Sequence, residues 1–233
     1  MGRNKKALLG LAGGLWLAGA TAAQGAVVVQ WTFEAPNTPA DTSGTTITGI
    51  NPAVGTGTAS GVHAASSAYS TPAGNGSTES LSSTVWAVGD YYQFNFSTTG
   101  FTDLVLSLDA TSSNTGPRDF KVAYSVDGTN FTDVPGGTYS VVNSSFATTT
   151  EQTTTPPRFS FDLSALDVIE NQASVTLRLI DNSTTAVNGG TVAGTGTSRI
   201  DNVTVSNSVP EPGTLGLVGL GLAMAGSRRR RRA

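Results

Sequence analysis

The chain holds a single histidine, His63, within Gly61-Val62-His63-Ala64-Ala65, and no cysteine. Those two facts remove most side-chain chemistry. There is no thiolate nucleophile and no disulfide framework, no zinc site of the His/Cys kind, and no Gly-x-Ser-x-Gly elbow to serve a Ser-His-Asp triad on His63. The phosphate-cradling Gly-x4-Gly-Lys-Ser/Thr loop is missing as well. His63 itself reads as an exposed loop histidine. What remains is carboxylate chemistry. Between Val27 and Val209 fifteen acidic side chains stand against five basic ones, Arg118, Lys121, Arg158, Arg178 and Arg199, a formal charge of −10. Two carboxylates flanking a cleft suffice for glycoside hydrolysis, so a secreted carbohydrate-active hydrolase is one reading. The plainer one puts Asp103, Asp127 and Asp133 at turns and strand ends. Sugar recognition without catalysis needs exposed rings instead, and Trp31, Trp86, Tyr69, Tyr91 and Tyr139 are the candidates. Tyr91 stands out, because it points opposite Tyr92, Phe94 and Phe96. An acidic domain repels nucleic acid, which is excluded as a partner.

These side chains must be positioned by strands. Thr, Ser, Gly and Asn abound and Lys is scarce, an all-β composition. Val27 to Phe33 is a continuous apolar strand. Period-two alternation marks Tyr92-Phe94-Phe96, Leu104-Leu106-Leu108, Phe120 to Val126, and Val175-Leu177-Leu179 as half-buried strands, with Asp127-Gly128 a tight hairpin turn. Asn37 to Thr78 is poor in large apolar residues and is expected to be mostly loop, with one strand nucleus at Thr46 to Ile50. Ser164 to Asn171 reads as a helical turn. In the last strand, Ser198 to Val205, Ile200 and Val203 fall on opposite parities, which predicts a bulge at Asp201 and Asn202. The fold class is all-β, a two-sheet antiparallel sandwich of jelly-roll type, flanked by an N-terminal signal helix and a C-terminal apolar helix.

The two ends are addresses. Arg3, Lys5 and Lys6 precede an uncharged Leu/Ala/Gly stretch to Ala20 and small residues up to Ala26, the layout of a signal peptide at 1–26. The sandwich then occupies 27–208. The remainder, 209–233, holds Pro210-Glu211-Pro212, a 15-residue uncharged run from Gly213 to Ser227, and the block Arg228, Arg229, Arg230, Arg231, Arg232. This order resembles the PEP-CTERM sorting signal. The resemblance implies signal peptidase and exosortase as processing enzymes, and export through a transient inner-membrane anchor to the cell surface or extracellular matrix. A run of 15 residues is short of the roughly 17 to 25 of a permanent span, and the arginines hold it with its C-terminal end in the cytoplasm.

The segments Ser113 to Phe120, Tyr124 to Thr132 and Thr197 to Val203 resemble exported bacterial jelly-roll domains, similar in turn to carbohydrate-binding-module and discoidin-like sandwiches. That resemblance implies extracellular polysaccharide as a partner. It also implies a structural calcium ion on Glu34, after the first strand, and Asp201, in the last, with Asp41 adding oxygen. No other cofactor and no catalytic residue is expected. The reading is thus a noncatalytic surface or matrix protein. A hydrolase is the first alternative, and a surface or ice binder using threonine rows such as Thr148-Thr149-Thr150 is the second.

Overall fold

The computed structural model describes residues 25–208. Eleven strands follow in chain order: β1 Val27–Trp31, β2 Thr42–Ile50, β3 Gly57–Ser70, β4 Leu81–Ser83, β5 Tyr91–Phe96, β6 Leu104–Ser112, β7 Asp119–Ser125, β8 Thr132–Ser140, β9 Arg158–Asp162, β10 Val175–Asp181 and β11 Ser198–Asn207. One short 3-10 turn, Asp167–Ile169, is the helical element among the described residues. All pairings are antiparallel and run β8-β7-β10-β5-β3-β4-β11-β6-β9, with β1 added to β11 and β2 to β3. The fold class expected from the sequence is therefore found: an all-β, jelly-roll-type sandwich. The signal segment, the C-terminal apolar segment, Pro210-Glu211-Pro212 and Arg228 to Arg232 lie outside the described residues.

The path folds into two layers because β3 changes partner along its length. Its first half, Gly57 to Val62, pairs with β5, while Tyr69 and Ser70 pair with β4, which pairs in turn with β11. Alternate residues then meet in the middle. Trp31 of β1 packs its ring 5.0 Å from Phe94 of β5, and Tyr139 of β8 lies 4.8 Å from Phe159 of β9. Trp31 is fully buried and donates its indole N–H to the Ile50 carbonyl, so this aromatic is core and not a sugar platform.

The sequence reading of Asn37 to Thr78 as mostly loop is corrected: β2 and the 14-residue β3 fill much of it. The small residues are there because their neighbours supply the bulk. A Cβ on Gly61 would meet Tyr69 Cε1 at 2.7 Å and Ile47 Cγ2 at 3.2 Å, and one on Gly57 would meet the Asn95 carbonyl oxygen at 2.4 Å. The strand is specified by packing against its neighbours rather than by large apolar residues of its own. The expected bulge is present, as a register shift between Asp201 and Thr204 with Asn202 at φ 49°.

Candidate functional site

Alternation along β5 sends Tyr92, Phe94 and Phe96 into the core and leaves Tyr91, Gln93 and Asn95 half-buried on the outer face. The ladders fix their neighbours. Gln93 stands opposite Ser60 of β3 on one side and Arg178 of β10 on the other, and Arg178 stands opposite Ala123 of β7. Ala123 has no bulk to exclude the guanidinium. Its carbon lies 4.0 Å from the Tyr91 ring centroid and 3.5 Å from that of Phe131, while Nε donates to Gln93 Oε1 at 2.8 Å. Burial lowers the Arg178 pKa, a cost offset by the two ring faces. Next in the strip, Asn95 Nδ2 donates to Thr176 Oγ1 at 2.9 Å and Ser174 Oγ at 3.0 Å. The result is an open strip of layered aromatic rings, one cation and ordered amides, running across four strands.

His63 is corrected from an exposed loop residue to a buried one on β3, 3 % exposed. Its Nδ1 lies 3.0 Å from Asp90 Oδ2, and its Nε2 lies 3.1 Å from Ser83 Oγ. That is the connectivity of a catalytic triad. The chain of contacts continues from Ser83 Oγ to the Tyr92 hydroxyl at 2.9 Å, which donates to the Ser198 carbonyl. Ser83, however, is 0 % exposed and lines neither cavity described below. Trp86 packs on the imidazole with centroids 4.5 Å apart. Burial lowers the His63 pKa more than Asp90 raises it, so the ring is neutral at pH 7. With no path for a substrate, the relay is a satisfied core network.

The acids expected to share calcium are held separately. Asp201 is fully buried and accepts from Asn75 N (2.7 Å), Asn202 N (2.7 Å) and Ser77 Oγ (2.6 Å). Glu34 accepts from Glu79 N at 2.6 Å and from the Thr78 hydroxyl. Asp41 is exposed and accepts from Thr71 N and Oγ1. Among the described residues no group of three or more His, Cys, Asp or Glu side chains is placed to hold a metal ion, and N–H donors aimed at a carboxylate occupy the lone pairs that Ca²⁺ needs. Glu34, Asp41 and Asp201 each accept from their own donors in this structure. Sequence reasoning missed Asn75, Asp109 and Arg158, which complete the Asp201 network. A faint signal existed in the placing of Asp109 directly after the Leu104-Leu106-Leu108 alternation, within a strand whose residues from Leu108 to Ser112 are all buried.

A cavity of about 260 Å³ opens around Arg199 and another of about 470 Å³ beside Thr38 and Ile50, and no carboxylate lines either. The acid pair a hydrolase requires is therefore not found at these openings. Thr148 and Thr149 sit in a turn, not in the flat strand array an ice-binding face demands.

Residues 208–232 match the PEP-CTERM protein-sorting motif, and the chain carries that motif. No curated protein sequence matches it. Among solved structures it is similar to the CBM22-1–GH10 modules of Clostridium thermocellum xylanase 10B complexed with xylohexaose, at 14% identity and TM-score 0.44 over 80% of this chain and 29% of that one. It is also similar to the CBM22-1–CBM22-2 tandem domain of Paenibacillus barcinonensis Xyn10C, at 14% identity and TM-score 0.42 over 82% of this chain and 50% of that one. A third is the K3 cleaved adhesin domain of Lys-gingipain from Porphyromonas gingivalis, at 15% identity and TM-score 0.40 over 78% of this chain and 100% of that one. The chain thus spans less than two thirds of the first two.

Proposed function

We propose that this chain, exported under its PEP-CTERM motif, is a noncatalytic surface protein that holds extracellular polysaccharide on the outer strip of β3, β5, β10 and β7. One observation carries the reading: the Arg178 guanidinium is fixed between the Tyr91 and Phe131 rings, in line with Gln93 and Asn95. Rings offer apolar faces to the C–H face of a pyranose, and ordered amides bond its hydroxyls. Because the side chains are already held, little conformational entropy is lost on binding. An open strip suits an extended polymer better than a small molecule, which needs a cavity.

Signal peptidase and exosortase process the ends in this reading, with Pro210-Glu211-Pro212 as the exosortase determinant and Arg228 to Arg232 holding the tail transiently at the inner membrane. Affinity electrophoresis in polysaccharide gels tests the strip. Tyr91→Ala and Arg178→Gln each reduce retardation about tenfold while the fold is kept. Retardation unchanged in both variants removes the strip as the site. Alanine at Pro210, Glu211 and Pro212 leaves the protein in the membrane fraction, and normal surface delivery of that variant removes the sorting half of the proposal.

A further inference from the structure

The five basic residues of the domain are not spent alike. Arg118, Lys121 and Arg158 are each paired with a carboxylate, and Arg178 lies between two rings. Arg199 has no carboxylate within ion-pair distance among the described residues. Its Nη1 donates to the Ala73 carbonyl at 3.0 Å. In a domain with three acids for every base, Arg199 shares this freedom from carboxylates with Arg178, but it is not closed in between two rings.

Arg199 sits on β11 opposite Thr111 of β6 and Ser82 of β4, and forms one wall of the cavity of about 260 Å³. The other walls include Ser112, Ser144, Ser145, Phe146 and Thr197, with no acid among the lining residues. The walls are set by internal bonds. Thr111 Oγ1 bonds the Val142 and Ser144 carbonyls and accepts from Ser144 N, and Ser113 Oγ accepts from Thr197 N. The Phe146 ring lies 5.9 Å from the guanidinium carbon. Ser112 keeps a buried hydroxyl with no hydrogen-bond partner. Burial lowers the Arg199 pKa, so the charge is partly stripped of water, and the contacts that stand in for it are one carbonyl and one ring rather than a carboxylate.

We propose that this cavity is a second binding site, separate from the β5–β10 strip, for one small oxyanion, a carboxylate or sulfate group, held by Arg199 and the hydroxyl-rich wall. A guanidinium offers paired N–H donors that match such a group, and the bond is charge-assisted. The volume of about 260 Å³ lies just below the roughly 300 Å³ at which ligand pockets usually begin, which fits one sugar acid or a free anion and not a longer chain.

Titration calorimetry on the full chain in mild detergent, with glucuronate, sodium sulfate and glucose, tests the site. Glucuronate or sulfate binds and glucose does not; Arg199→Gln weakens oxyanion binding at least tenfold, and Arg178→Gln leaves it unchanged. Glucuronate bound more tightly than sulfate makes the sugar acid the source, and equal binding makes it the free anion; both support the site. If Arg199→Gln unfolds the chain, Ser145→Trp at the exposed rim fills the cavity with Arg199 intact. Equal binding of glucose and glucuronate, no oxyanion binding, or oxyanion binding that survives both variants overturns the proposal and leaves the polysaccharide strip unaffected.

Discussion

Asp109 and Asp201 stand directly opposite each other on β6 and β11, both fully buried, and Asn75 ties them together through its backbone N–H to Asp201 Oδ2 (2.7 Å) and its Nδ2 to Asp109 Oδ2 (2.9 Å). Like charges opposed across a ladder are destabilising, so the pair persists only because it is neutralised from outside. Arg158 makes two bonds to Asp109, at 2.8 and 2.9 Å, and Asn202 Nδ2 donates to it at 2.9 Å. Burial raises the Asp201 pKa to about 6 against three donors that lower it. The expected calcium aspartate is thus a partner in an internal network.

Arg158→Met leaves Asp109 buried without its cation and lowers stability by about 3 kcal/mol in urea unfolding. Asn75→Ala strips a donor from the same carboxylate and costs about 2 kcal/mol. The exposed Asp41→Ala changes stability by less than about 0.5 kcal/mol. Equal, small effects for all three would show that the network contributes nothing.

Calcium and chelator give the same melting temperature, within about 1 °C, because Glu34, Asp41 and Asp201 are committed to separate donors. A calcium-dependent rise that disappears in Asp201→Ala would restore the ion site and require the loop at Asn75 to Glu79 to rearrange.

Fluorophosphonate probes do not label the folded chain. Ser83 has its histidine and aspartate in place but no contact with solvent, and an activated serine must be reachable to react. Labelling that is lost in Ser83→Ala would make the protein an enzyme.

Asp181 on β10 is buried, with Oδ2 unpartnered, and burial raises its pKa from 3.8 to about 6. Between those values the folded chain keeps a proton that the unfolded chain releases. The group therefore favours folding below about pH 4, and that contribution is lost as pH rises through about 6. Asp181→Asn gains stability relative to the native chain across this window and holds the gain above it. His63, whose lowered pKa acts in the opposite sense, is common to both proteins and cancels. Urea midpoints at four pH values check this, and parallel profiles for the two proteins refute it.

Strands built on alternation were legible because period two records burial directly, as at Tyr92, Phe94 and Phe96. Tyr91 as the outward ring of β5 followed from the same rule. β3 was not legible, because Gly57 meets its bulk in Asn95 and Phe96 of β5, and Gly61 in Ile47 of β2 and in Tyr69 at the far end of its own strand, none of which a local pattern announces. His63 was misplaced for the same reason. The Arg178 stack depends on Phe131 arriving from the β7–β8 turn, and no local pattern in either segment announces that meeting. The Asp109–Asp201 pair left only an acid directly after the Leu104-Leu106-Leu108 alternation as its trace, and Asn75, which joins the two, left none.

β1 and β11 lie side by side, with Val27 opposite Ser206 and Asn207 N donating to the Ala26 carbonyl. Both ends of the sandwich therefore emerge at one edge. Tension applied on the C-terminal side enters along the axis of β11. That strand is bonded to β6 and to β1 and β4, so the pull meets ladder bonds in shear, where they must yield together. The C-terminal end of the sandwich thus continues from a strand bonded on both of its sides.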